Sequence, residues 1–206
     1  MKPVNETAIR SRDTIRLLMT LVDDRRPGYT RHAEAVARLT YITGLELGLD
    51  PGAHKDLHLA ALLHDVGVLR LPLPHSGSRW HLPPEERRIH ETHPDAGARI
   101  AAILGLAPRV QDAVLGHHER WNGTGYPGGL RAEGIALEAR ILGVCDVHDS
   151  LLNGTDRVDC ELRSQQEVFD HLRHEEGERY DQDVVDALQR AVALERELGA
   201  LTGAFA

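Results

Sequence analysis

Two adjacent imidazoles and a carboxylate, His117-His118-Glu119, run into a glycine-rich stretch that contains Gly125-Tyr126-Pro127. Upstream stands another pair of the same types, His64-Asp65. Neutral imidazole nitrogens and carboxylate oxygens are the usual donors for borderline divalent cations. The chemistry that this combination suits is metal-assisted hydrolysis of a phosphoester, in which cations bind the anion and lower the pKa of a water.

Further donors lie at plausible places along the chain. His32, His64, Asp65, His93, His117, His118 and Asp146 form the candidate ligand set. Each falls on or at the end of a separate helical segment, apart from the adjacent pairs. Helical bundles build metal sites in this way, from inward-facing side chains on different helices. On a regular helix, His117 and His118 point about 100° apart, which favours serving two ions over sharing one. With Asp65 bridging, the set makes about eight bonds, whereas two octahedral ions take about twelve. The difference leaves room for waters and a phosphate, and open positions mark a catalytic site. Mixed imidazole and carboxylate donors suit iron, manganese, nickel or zinc. His54 with His58, and His171 with His174, read as solvated faces. Asp149 shares a helical face with Asp146; it is read as a capping or pairing group, with ligation as the alternative.

The elements that must position these groups are helical. Ile15, Leu18, Met19 and Val22 make an apolar stripe at helical spacing. Arg25-Arg26-Pro27-Gly28 interrupts it. A second helix is expected from about Thr30 to Leu47. Asp50-Pro51 reads as a start for a third, with Asp capping amides and Pro in the first turn. Residues 70–84 are irregular. Glu85–His93 reads as a short helix stopped by Pro94, and Pro108 opens another that reaches His118. Leu137–Leu152 and Val184–Leu198 complete the series, with Gly199–Ala206 fraying. No segment alternates with period two. The expected fold is therefore all-α, with an extension over 1–28, a domain over 29–198 and a tail over 199–206. The N-terminal stripe is expected to cover the core; a dimerising helix, and so a homodimer, is the alternative.

Bulk properties set outer limits. The chain has 206 residues, ample for one core, and only 4% aromatics, which leaves the core to Leu, Ile, Val and Ala. A net charge of -8 argues against a long nucleic acid as partner, though not against a small anion held by cations. The two cysteines form no framework, and neither a long apolar run nor a leader-like segment appears. A cytoplasmic protein with no membrane partner is expected.

The ordered set His32, His64-Asp65, His93-Pro94, His117-His118-Glu119, Gly123-Thr124-Gly125-Tyr126-Pro127 and Asp146 resembles the HD-GYP domain, a branch of the HD phosphohydrolase superfamily. The likeness takes in Leu62-Leu63-His64-Asp65-Val66-Gly67, Arg140-Ile141-Leu142 and Arg179-Tyr180-Asp181. It implies an all-helical bundle with a bi- or trinuclear metal centre. It also implies phosphodiesterase action on cyclic di-GMP, giving linear pGpG or GMP. On this resemblance the ligand set carries the metals, iron or manganese first, with nickel and zinc as alternatives. His64 and Asp65 are the expected catalytic ligands. Gly125 and Tyr126 would face the substrate, and the loop would meet a GGDEF-type partner. Gly123 and Pro127 would shape that loop, with Glu119 orienting it or a neighbouring histidine.

Three departures from the family pattern carry expectations of their own. Val68 stands where the family has a lysine after His-Asp-x-Gly, and Arg70 is the nearby cation that would compensate in part. Gly28 stands where trinuclear members carry a glutamate, so two metals are expected. The arginine-rich stretch after Asp149 is reduced to Arg157-Val158-Asp159-Cys160, which leaves Arg157 for one phosphate contact. The primary reading is a two-metal cyclic di-GMP phosphodiesterase. The rivals are a catalytically weak domain acting through nucleotide or protein contacts, favoured by Val68, and a phosphohydrolase for another phosphoester.

Overall fold

The protein is described from a computed structural model, over residues 6–72, 82–154, 164–174 and 178–203. The chain runs α1 (Glu6–Arg25), α2 (Tyr29–Glu46), α3 (Pro51–Leu63), a short 3-10 helix (Val66–Arg70), α4 (Pro84–His90), α5 (His93–Ile103) and α6 (Pro108–Gly116). A second 3-10 turn (Ala132–Gly134) precedes α7 (Leu137–Asn153), α8 (Gln165–His174) and α9 (Gln182–Gly203). Among the described residues there is no strand, only one isolated bridge between Asn122 and Arg131. The all-α expectation holds.

Local chemistry explains the helix starts. Asp50 accepts the amides of Gly52 and Ala53 at 2.8 and 3.0 Å, with Pro51 in the first turn of α3. These bonds satisfy donors that the helix itself leaves orphaned. The turn between α1 and α2 passes through Gly28 at φ 93, and Asp23 Oδ1 accepts the amide of Thr30 at 2.8 Å. Pro94 does not stop a helix here. The preceding helix closes at His90, and Pro94 sits in the first turn of α5, where its missing N–H costs nothing. Helix α9 continues past Leu198 to Gly203.

The apolar side chains form two clusters. The larger joins α2, α3, α6, α7 and α9 through Val36, Leu57, Val110, Ile141 and Leu188, among others. The smaller seats α1 on the domain: Ile15, Met19 and Val22 pack with Tyr29, Ala33, Leu63, Val66 and Val68. The N-terminal stripe thus covers core. Helix α7 is buried on most of its circumference, as a central helix must be. On α2, Tyr29 and Ala33 belong to the smaller cluster and Val36 to the larger, and His32 lies between them. The seam between the two clusters is where the candidate ligands gather.

Candidate metal centre

All seven candidate ligands converge, in two groups. Asp65, His93, His117 and His118 offer donor atoms within 4.8 Å of one another, and so do His32, His64 and Asp146. Except for His118, which is half-buried, every member is buried. Asp65 stands between the groups. Its Oδ1 lies 3.0 Å from His93 Nε2 and 3.8 Å from His117 Nε2, while its Oδ2 lies 3.4 Å from His64 Nε2. One carboxylate therefore presents an oxygen to each side.

Helix ends aim the imidazoles. His64 Nδ1 bonds the Ala61 carbonyl at 2.8 Å, His93 Nδ1 that of His90 at 2.7 Å, and His117 Nδ1 that of Val114 at 2.7 Å. Each bond joins a histidine to the carbonyl three residues earlier. A carbonyl can only accept, so Nδ1 carries a proton and Nε2 is the ring atom turned to the centre. His93 Nε2 and His117 Nε2 then face each other at 3.5 Å. His64 Nε2 is buried with no hydrogen-bond partner. Facing ring nitrogens and an orphaned buried one are costly unless a cation, a proton or a metal ion, lies among them. The residues present fit divalent ions at both groups.

The second group is held differently. His32 donates from Nδ1 to Asp149 Oδ2 at 2.6 Å, and its Nε2 lies 3.1 Å from Asp146 Oδ1. Burial alone would lower the His32 pKa, but the two carboxylates push it up to about 10. Burial works against ionisation of Asp146 too, and His32 with His64 nevertheless brings it down to about 2. In the first group the direction reverses. Burial, with neighbouring imidazoles, lowers the pKa of His117 and takes that of His118 well below the ordinary value. Asp65, despite burial, is held well below the carboxylate range by Arg26 and His64.

His117 and His118 fall in one donor group, that of Asp65, and are not divided between the two groups as their expected divergence implied. Regular helix ends at Gly116, so the 100° separation never applies. Their ring centroids lie 4.0 Å apart, and Tyr126 lies 4.8 Å from the His118 ring. Glu119 is buried and organises the loop: its Oε1 accepts the Gly128 amide at 2.6 Å and its Oε2 that of Leu130 at 3.0 Å. Gly125 is required by space, not by a left-handed backbone. A Cβ there would sit 2.3 Å from Arg120 N and 2.5 Å from His118 O. Gly123 does take a left-handed φ, 78, and Pro127 follows a cis bond from Tyr126. The loop is tied at its base where Trp121 N meets Arg179 O at 2.8 Å. Nearby, Arg140 donates to Asp181 at 2.5 Å.

The remaining expected contacts divide. Asp149 orients His32 instead of capping the helix or meeting an arginine. Arg70 is exposed at the end of its 3-10 helix, and no ion pair joins it to the centre. Val68 is buried in the α1 cluster, so this position serves packing. Arg157 and Cys160 lie outside the described residues. Sequence reading missed two groups. Arg26 pairs with Asp65 Oδ2. Tyr29 donates its hydroxyl to Leu62 O at 3.0 Å and lies 3.4 Å from the amide of Asp65. Neither has a spacing signal, since both reach the centre through tertiary packing.

A family model for the HD domain matches residues 16–184, most of the chain. The chain belongs to the HD domain family. The HD-GYP resemblance is also borne out by its relatives. The cyclic di-GMP phosphodiesterase response regulator RpfG of Xanthomonas campestris pv. campestris is 32% identical over 208 residues, covering 98% of this chain and 54% of that protein. The 3'3'-cGAMP-specific phosphodiesterase 1 of Vibrio cholerae is 32% identical over 180 residues, covering 86% and 41%. Among solved structures, Bd1817, an HDG"Y"P protein from Bdellovibrio bacteriovorus, has a TM-score of 0.65 at 25% identity, covering 80% of this chain and 52% of that one. The chain spans about half the length of the curated relatives it matches. No helix among the described residues is long and apolar enough to cross a membrane.

Proposed function

We propose that this HD domain is a two-metal phosphodiesterase that hydrolyses cyclic di-GMP to linear pGpG, GMP or both. The observation that carries the reading is Asp65, whose two oxygens face two separate donor groups at the seam of the core. Divalent cations held there, iron or manganese first, would neutralise a phosphodiester and lower the pKa of the attacking water. His93, His117 and His118 with Asp65 would hold one ion, and His32, His64 and Asp146 the other. Asp149 fixes the His32 ring, a partner role that keeps a ligating imidazole in the right tautomer. Tyr126, beside His118, borders the side on which substrate would lie. Glu119 holds the loop that carries Tyr126, and the exposed tip from Pro127 to Leu130 is offered as the contact for a GGDEF-type partner. Cyclic-dinucleotide turnover of this kind agrees with a cytoplasmic setting.

Names of relatives support the substrate class, since they include phosphodiesterases for cyclic di-GMP and for 3'3'-cGAMP. The test is turnover by metal-loaded protein of cyclic di-GMP and 3'3'-cGAMP, with products resolved by chromatography. Linear product from cyclic di-GMP is expected. Full metal content with no product would overturn the reading and leave the rival, a domain that binds without turning over. That rival draws on Val68, which packs against α1 where a lysine would reach toward phosphate.

A further inference from the structure

Asp65 has a second, non-metal neighbour. Arg26, just beyond the end of α1, pairs with Asp65 Oδ2, the oxygen that also faces His64. The opposite oxygen, Oδ1, faces His93 and His117. The guanidinium therefore engages Asp65 at the oxygen turned to the His32, His64 and Asp146 group. Its placement is fixed by its neighbour: Arg25 Nη1 donates to the carbonyls of Val68 at 3.2 Å and Leu71 at 3.0 Å. Arg25 thereby clamps the end of α1 onto the 3-10 helix that follows Asp65. Arg26 is 17% exposed and Asp65 6%, so the guanidinium stands at the outer lip of the centre.

The two groups also differ in number. The first has four protein donors including Asp65, and the second has three without it. An ion in the second seat needs Asp65 Oδ2 as its fourth donor, and that oxygen already carries a fixed positive charge. A guanidinium cannot shed its charge by deprotonation, so it can only share the oxygen or move away.

We propose that Arg26 is a resident counter-cation of the bridging carboxylate, so that the two seats load unequally. The four-donor seat fills first, and the seat of His32, His64 and Asp146 fills only against Arg26. This rests on the two-ion reading above. Arg26 is a positioning residue: it acts on metal through Asp65.

The test is a titration of metal-stripped full chain with Mn2+ alone, following free ion by electron paramagnetic resonance and heat by calorimetry. The native protein is expected to bind in two resolved steps. Arg26→Met, which keeps length and removes charge, is expected to tighten the second step about tenfold or more and to leave the first unchanged. The sign follows from removing a unit charge beside a divalent ion, and tenfold is a floor, since the bare Coulomb interaction at an effective dielectric of about 20 is much larger. Arg26→Lys retains the native gap. The first step, at native strength, serves as the control for folding, and Arg26→Gln replaces Arg26→Met if that control fails. A second step that stays put or weakens in the uncharged variant overturns the role of Arg26 while two ions still bind. A native protein that takes fewer than two ions overturns both this role and the two-metal reading.

Discussion

The two donor groups meet at one carboxylate yet are built on different principles. In the first, His93 and His117 are aimed by backbone carbonyls, and burial keeps His117 and His118 easily deprotonated. In the second, His64 is aimed by a carbonyl, but His32 is aimed by Asp149 and gripped by Asp146. Those carboxylates raise the His32 pKa to about 10, so without metal it is an imidazolium at neutral pH. One seat offers lone pairs at once. The other is charge-balanced by a proton on His32 and by the guanidinium of Arg26. A buried site rich in acidic groups must have its charge matched before any ion arrives, and here the matching falls on one side.

The largest expected effect comes from removing the element the two seats share. Asp65→Ala should reduce bound metal from two ions per chain to less than one and lower turnover by about a thousandfold or more, read by elemental analysis and product chromatography. Full metal content in that variant would break the comparison at its root. Next, Asp149→Asn should weaken only the ion held by His32, by about ten- to a hundredfold, because the ring loses its ionised partner. Equal weakening of both steps in the same titration would show that the seats are not separable.

A pH series sharpens the contrast without mutation. His32 has a raised pKa, so below about 10 an ion must displace its proton. Second-step affinity should therefore climb by about tenfold per pH unit between pH 7 and 9, with one proton released, whereas the first step stays nearly flat. The same shift makes a prediction for the metal-free protein. A raised folded-state pKa contributes stability in full below the ordinary histidine value and loses it as pH rises through about 10. Thermal melts of stripped protein should fall over that range, and metal-loaded protein should not share the fall. The smallest effect is expected from Glu119→Gln, whose one accepting oxygen keeps a bond to one loop amide while its NH2 group faces the other, at a cost of about 1–3 kcal/mol in melting experiments.

The residues that gather at the centre were legible as candidate ligands because their types are rare in a core and their order along the chain matches the HD-GYP pattern. Helix starts at Asp50-Pro51 and the stripe from Ile15 to Val22 were legible for similar reasons, since capping and periodicity are local. What escaped was set by which neighbours meet. Spacing put Asp149 on the face of Asp146, but only the approach of α2 to α7 makes it the partner of His32. Arg26 looked like part of a helix break, and its target lies far along the chain. The divergence expected between His117 and His118 failed because helix α6 ends at Gly116, two residues short of what that argument requires. Pro94 misled in the opposite sense, since a proline that cannot continue one helix can begin another.

Gly67 gives the centre its scale. A Cβ at that position would lie 1.9 Å from the His93 carbonyl oxygen and 2.6 Å from Gly97 N. The turn that follows Asp65 and the helix that begins with His93 are thus in backbone contact, with only hydrogen between them. Any methyl group there would wedge α5 outward and carry His93 away from Asp65. The reach from Asp65 to His93 is thus set by an atom the chain does without.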